Sequence, residues 1–175
     1  FCTVSATAQQ WPTTPVRIIV PFAAGATPDV VARMIADYLH DKLRQPFIVE
    51  NKPGASGNTG TDAVAKAAPD GSTIGVSIGG PLAINTLLFS NLPYDPKKDI
   101  ALITMLVTQP SALAVNTSLG VNTTPELVDL IARNPGKYAF GSIGTGSLSQ
   151  LAMEAIALKS GTQLVHVPYC LLYTS

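Results

Sequence analysis

Val16-Arg17-Ile18-Ile19-Val20-Pro21-Phe22-Ala23-Ala24-Gly25-Ala26-Thr27-Pro28-Asp29 runs from a β-branched apolar stretch, through small residues and a glycine, into the start of a helix. The run 16–20, ended by Pro21, reads as a strand buried on both faces of a parallel sheet. Thr27 can serve as the helix N-cap, the fixed φ of Pro28 suits the first helical position, and Asp29 complements the helix dipole. Val30, Val31, Met34, Ile35, Tyr38 and Leu39 then recur at helical spacing. A strand feeding directly into a helix is the βα unit of a parallel sheet, and the rest of the chain repeats it.

Working outward, 47–49 is a second short strand, and the glycine-rich 53–58 precedes an Ala-rich helical stretch that Pro69-Asp70-Gly71 closes with a turn. A third strand follows over 72–78, then a helix to about Phe89, a proline-punctuated extended segment over 92–96 and a fourth strand over 100–107. The pattern restarts beyond Gln109-Pro110. A strand over 112–115, a helix over 125–133 capped by Thr123 or Thr124, a strand over 138–142, a helix over 148–159 and a strand over 163–167 complete it. The expected class is α/β with two lobes, the first over 11–110 and a partial second over 111–169. Residues 1–10 read as residual signal peptide or disordered terminus, with Ala6-Thr7-Ala8 offering small residues to a signal peptidase.

Composition narrows the function classes. Hydrophobic residues make up 46% and charged residues 13%, a globular balance. Eleven basic residues match eleven acidic ones without a basic cluster, which removes the electrostatic footprint of a nucleic-acid or anionic-membrane partner. The two cysteines, Cys2 and Cys170, form no metal or redox motif, and no apolar run reaches the roughly 18 to 20 residues of a spanning helix.

Ligands of open parallel sheets settle at the carboxyl ends of strands, where helix N-termini present unpaired N–H groups. Three segments occupy that position. Phe22, Ala23, Ala24, Gly25, Ala26 and Thr27, with Asp29, follow the first strand; Ser77, Gly79 and Gly80 follow the third; Ser142, Gly144, Thr145, Gly146 and Ser147 belong to the second lobe. Each mixes small residues with hydroxyl or N–H donors, the chemistry that seats an anion, and each also fits a tight βα turn that needs glycine for geometry alone. Asp29 has two readings, a residue that orders the helix start or one that accepts a ligand amine or holds a bridging water. Phe22 is a candidate, although aromatic residues there more often pack in a core.

Gly141 and Gly146 have the outer spacing of a phosphate-binding loop, but Ser147 stands where its lysine belongs. His40 and His166 are the available imidazole bases, His40 on a solvated helix face and His166 opposite two core valines in a hydrogen-bonded structural position. No catalytic residue, metal site or cofactor is expected.

Val20-Pro21-Phe22-Ala23-Ala24-Gly25 with Asp29-Val30-Val31-Ala32-Arg33, then Val49-Glu50-Asn51-Lys52-Pro53-Gly54-Ala55-Ser56-Gly57-Asn58, resembles the substrate-binding proteins of tripartite tricarboxylate transporters, the Bug family. Ala65-Lys66-Ala67-Ala68-Pro69-Asp70-Gly71, Leu92-Pro93-Tyr94-Asp95-Pro96 and His166-Val167-Pro168-Tyr169 extend the resemblance to nearly the whole chain. It implies a two-lobed periplasmic-binding-protein-like fold of type II, with the first lobe nearly complete and the second truncated. It further implies capture of a di- or tricarboxylate, an acidic amino acid or an aromatic acid in an interlobe cleft, by the loops over 22–29 and 142–147. The implied setting is the periplasm, reached through a signal peptide. The implied partners are the membrane permease subunits of such a transporter, and the completed protein would be a monomer. One departure is that Ala26-Thr27-Pro28 replaces the family's second glycine, variable residue and Thr before the Asp. The tail over 170–175 also departs from the family and reads as non-native, so the sequence is expected to be incomplete at both ends. The alternative is an α/β enzyme or sensor domain that uses the same cleft.

Overall fold

The computed structural model describes residues 11–169, so the expectations for 1–10 and 170–175 lie outside the described residues. The chain divides into two compact units, one up to Ser77 and one from Ile78 onward.

The first unit is built on β1 (Val16–Val20), flanked by β2 (Phe47–Asn51) and β3 (Thr73–Gly75) in the order β2-β1-β3. Both pairings are parallel, with Val16 opposite Phe47, Val20 opposite Asn51 and Ile18 opposite Ile74. The central position of β1 explains its composition, since Val16, Ile18, Ile19 and Val20 are at most 1% exposed. Each such side chain contributes about 1.5–3 kcal/mol by leaving water. Arg17 is the exception to a strand buried on both faces, because it is exposed and forks onto Glu50 of β2 at 2.7 and 2.8 Å.

Helix α1 (Thr27–Leu43) covers one face, where Ala32 and Ala36 join Val16, Ile18, Val20, Phe47 and Val76 in the core. The apolar spacing read from sequence splits here. Leu39 packs against the core, while Val30, Met34 and Tyr38 are exposed, because the face set by Asp29, Ala32 and Ala36 leaves that second stripe outside. Arg44 ends the helix in the left-handed region and donates its N–H to the His40 carbonyl at 2.8 Å. Helix α2 (Asn58–Ala65) lies at the face of Ile19 and Gly75, where Val64 meets the Gly75 position. Its Gly60 sits so close to the end of β1 that an added Cβ would lie 2.6 Å from the Pro21 Cα.

In the second unit a π-helical turn (Gly80–Ile84) leads into α3 (Asn85–Leu88), and buried Tyr94 in the extended 92–96 segment donates its hydroxyl to the Pro81 carbonyl at 2.9 Å. Helix α4 (Thr124–Ala132) is capped by Thr123, whose hydroxyl accepts the Glu126 N–H. Strands β4 (Ala139–Ser142) and β5 (Val165–Pro168) pair in parallel around α5 (Leu148–Ser160), with Phe140 opposite His166.

Two expected strands are absent from the described residues. The segment over 101–116 carries no regular structure and is exposed throughout, with Leu102, Ile103 and Met105 among its outward side chains. Apolar, β-branched composition is a preference for a pleated, half-buried surface, and without a neighbouring ladder it forms no strand. The sequence pattern places a restart at residue 111, whereas the compact units meet at Ser77 and Ile78.

Candidate functional site

The β1–α1 loop is organised by Asp29. The helix N-cap is Ala26, not Thr27; its extended backbone presents a carbonyl that accepts the N–H groups of Asp29 and Val30 at 2.9 and 3.0 Å. Thr27 is the first helical residue and is exposed. The missing side-chain cap is replaced by the Asp29 carboxylate reaching back to the Gly25 N–H at 2.8 Å. Its other contacts are Arg33 Nε at 3.1 Å, Arg33 Nη2 at 3.0 Å and Asn51 Nδ2 at 2.8 Å. Asn51 in turn donates to the Phe22 carbonyl at 3.0 Å and accepts from Arg33 at 3.2 Å.

Asp29 is 2% exposed, and the Arg33 hydrogen bonds, helped by the Gly25 and Asn51 donors and opposed by burial, lower its pKa to about 2. An ionised carboxylate offers roughly four acceptor positions. Here Gly25, Asn51 and the two Arg33 nitrogens take them, so the acceptor capacity of Asp29 is spent within the loop, at the helix start and at the end of β2. The same network consumes the Gly25 N–H. Ala26 N–H bonds to the Ala23 carbonyl at 3.3 Å, which leaves the amides of Phe22, Ala23, Ala24 and Thr27 without a hydrogen bond among the described residues. Phe22 packs in part against the core beneath.

Arg33 and Asn51 were not singled out from sequence, although two signals mark them. Arg33 lies one helical turn after Asp29, and Asn51 ends the parallel strand beside β1.

In the second unit the structure brings two of the expected loops together. An added Cβ on Gly80 would sit 3.6 Å from the Gly146 carbonyl, and one on Gly146 would meet Asn85 Oδ1 at 2.8 Å and Leu88 at 3.0 Å. Gly80 is buried and Gly79 exposed. Ser77, at the end of the first unit, has a buried Oγ with no hydrogen-bond partner among the described residues.

The loop over 142–147 satisfies most of its own donors. Ser147 caps α5 by accepting the Gln150 N–H at 3.3 Å, and the Gln150 side chain accepts the Gly146 N–H at 2.8 Å, a close relative of the capping box. Ser149 Oγ accepts from Ile143, Ser142 Oγ from Gly144 and the Gly144 carbonyl from Ser147. The amides of Thr145, Leu148 and Ser149 carry no hydrogen bond among the described residues, so the donors here stand partly one and two residues past the 142–147 loop, at the start of α5. Ser142 is buried, and its Oγ lies 2.6 Å from His166 Nε2. The His166 ring stacks on Phe140 at 5.0 Å, while Val165 is half exposed rather than a core valine.

Residues 31–170 match the family model described as tripartite tricarboxylate transporter family receptor. Protein BugT of Bordetella pertussis is 36% identical over 163 residues, covering 93% of this chain and 50% of the relative. Among solved structures, an R. palustris protein with adipate superposes at TM-score 0.85 with 33% identity, over 91% of this chain and 54% of that one. MatC from Rhodopseudomonas palustris with bound malate gives 0.80 and 29% over the same shares. The periplasmic binding protein BugD gives 0.71 and 31%, over 91% and 53%. The fold is thus the α/β fold of periplasmic binding proteins, and the chain spans about half the length of the curated relatives it matches.

Proposed function

We propose, since this chain belongs to the tripartite tricarboxylate transporter family of receptors, that it serves as a periplasmic solute-binding protein that captures a small carboxylate and delivers it to membrane permease subunits. The observation that carries this reading is the set of amides left over when the loops have satisfied themselves. In the first unit they are Phe22, Ala23, Ala24 and Thr27; in the second, Thr145, Leu148 and Ser149. Each set follows a parallel strand and opens a helix, and neither loop contains a lysine or arginine. Neutral backbone donors at helix N-termini suit carboxylate oxygens. The neighbours solved with adipate and malate hold dicarboxylates, which puts dicarboxylates ahead of acidic amino acids and aromatic acids in the ligand range.

A thermal-shift panel of acids and neutral sugars tests the reading. A bound dicarboxylate at about 100 times its Kd stabilises the protein by ~2.7 kcal/mol. A sugar that raises the melting temperature where every acid fails would overturn it.

The glycine substitutions give a second test. A Cβ on Gly25 or Gly144 meets no atom within 4 Å, so the cost of Gly25→Val or Gly144→Val is torsional, arising from φ of +84° and +133°. A β-branched residue is strained by about 1–3 kcal/mol in such regions and turns the adjoining peptides. Affinity for the carboxylate is expected to fall about tenfold or more, by the usual conversion of 1.4 kcal/mol per decade. His40→Ala, on an exposed part of α1, is expected to leave affinity unchanged. Equal affinities in folded glycine variants, measured by calorimetry, would remove these loops from the site.

A further inference from the structure

We propose that His166 is a positioning residue of the 142–147 loop, donating its Nε2–H to Ser142 Oγ and thereby turning that hydroxyl onto Gly144. The argument is one of satisfiability. Ser142 Oγ has three neighbours at hydrogen-bond distance, namely His166 Nε2 at 2.6 Å, the Gly144 N–H at 3.2 Å and the Gly144 carbonyl at 3.2 Å. A serine hydroxyl supplies one donor and two acceptor positions.

If the imidazole accepted at Nε2, the single hydroxyl proton would go to it and the Gly144 carbonyl would be left facing an oxygen. With Nε2–H as the donor, the hydroxyl accepts from both His166 and Gly144 N–H, and its own proton goes to the Gly144 carbonyl. All three contacts are then made at once, around an oxygen on a residue 5% exposed, where an unmade bond is costly. The contact holds whether the ring is neutral as the Nε2–H tautomer or protonated, since Nε2 donates in both forms.

The consequence reaches the loop conformation. Gly144 has φ +133°, a region essentially reserved for glycine, and the Ser142 hydroxyl holds the two peptide units that flank it, one by the Gly144 N–H and the other by the Gly144 carbonyl. The Gly144 carbonyl also accepts the N–H of Ser147, the N-cap of α5. His166 therefore acts from β5 through Ser142 and Gly144 on the start of the helix whose first amides are open. The spacing within Val165-His166-Val167-Pro168 points to a structural histidine, and the structure adds what it structures.

Two variants separate this role from general packing. His166→Phe keeps a ring to stack on Phe140 but removes the donor, and His166→Gln restores a terminal amide donor. Nitrogen-15 spectra of the wild type are expected to show the Nε2–H tautomer. Amide exchange at Gly144, referenced to protected amides of β1, is expected to quicken about tenfold in His166→Phe and to return toward wild type in His166→Gln. An Nδ1–H tautomer with a bare Nε2, or equal Gly144 exchange in wild type and His166→Phe, would overturn the proposal. The effect on binding rests on the carboxylate reading above. Malate and adipate are therefore titrated into wild type first. If neither binds, the carboxylate reading is what fails, while tautomer and exchange still decide the role of His166. If the wild type binds and His166→Phe binds within twofold of it, the positioning role is what fails.

Discussion

Asp29→Ala is expected to lower the stability of the first unit by about 2–3 kcal/mol at neutral pH and to abolish carboxylate binding together with it. Removing the carboxylate leaves the Gly25 N–H and the Asn51 amide without their acceptor, and because both bonds are only partly buried each loss falls at the low end of the range for a buried donor, about 1 kcal/mol. Arg33 loses its partner too, but with a side chain 52% exposed it is rehydrated, which keeps the total at the lower end of what broken buried pairs cost. The pH dependence has a definite sign. The folded protein holds Asp29 at a pKa of about 2, below the ordinary 3.8, so folding favours the ionised form. That stabilisation is fully present above about pH 4 and is lost as pH falls from 3.8 toward 2. The displacement corresponds to about 2 kcal/mol once solvent screening around Arg33 is allowed for. Urea denaturation of wild type and variant at a series of pH values should show a gap that narrows through this window. A gap of constant size down to pH 2 would mean that Asp29 is not held ionised by these partners.

Gly60→Ala is expected to destabilise the first unit by about 2–3 kcal/mol, against the ordinary trend that replacing a helical glycine by alanine stabilises by up to about 1 kcal/mol. The added Cβ would lie 2.6 Å from the Pro21 Cα, 2.7 Å from its Cβ and 2.8 Å from the Lys52 carbonyl oxygen. Backbone contributes on two sides, at the ends of β1 and β2, so no side chain can swing aside to relieve the contact. Gly79→Ala supplies the contrast, since its φ is −60° and nothing lies within 4 Å of the added carbon. Chemical denaturation of both variants checks the pair. A Gly60→Ala protein as stable as wild type would show that α2 does not seat against Pro21.

The parts of this fold that were legible in the sequence are those fixed by local chemistry. Val16–Val20 announces itself by branching and by Pro21, α1 by Pro28 and Asp29, and α5 by the Ser147 cap. What could not be read depends on strand pairing and on how far particular side chains reach. The 100–107 and 112–115 segments have strand composition, yet composition supplies no ladder. Ala26 takes the cap position from Thr27 while a carboxylate three residues on reaches back over the loop, the same reach that Gln150 makes at α5, but here beside an N-cap that supplies no side-chain acceptor of its own. The candidate site was legible as loops but not as donors. Which amides stay open depends on Asp29, Gln150 and Ser149 accepting from the others, and side-chain reach of that kind is invisible until the backbone is placed.

The latch of Asp29, Arg33 and Asn51 also bears on how cheaply a ligand can be held. It ties the start of α1, the end of β2 and the Phe22 carbonyl into one hydrogen-bonded ring of groups, all belonging to the protein itself. The backbone on either side of Ala23 and Ala24 is therefore held by the protein's own groups, at the Phe22 carbonyl and at the Gly25 N–H. A loop without such a latch would have to surrender conformational entropy at the moment of capture, and fixing a residue's backbone costs about 1–2 kcal/mol. Here that entropy is given up during folding, which is the cost a small acid with few atoms would otherwise have to meet under the carboxylate capture proposed above.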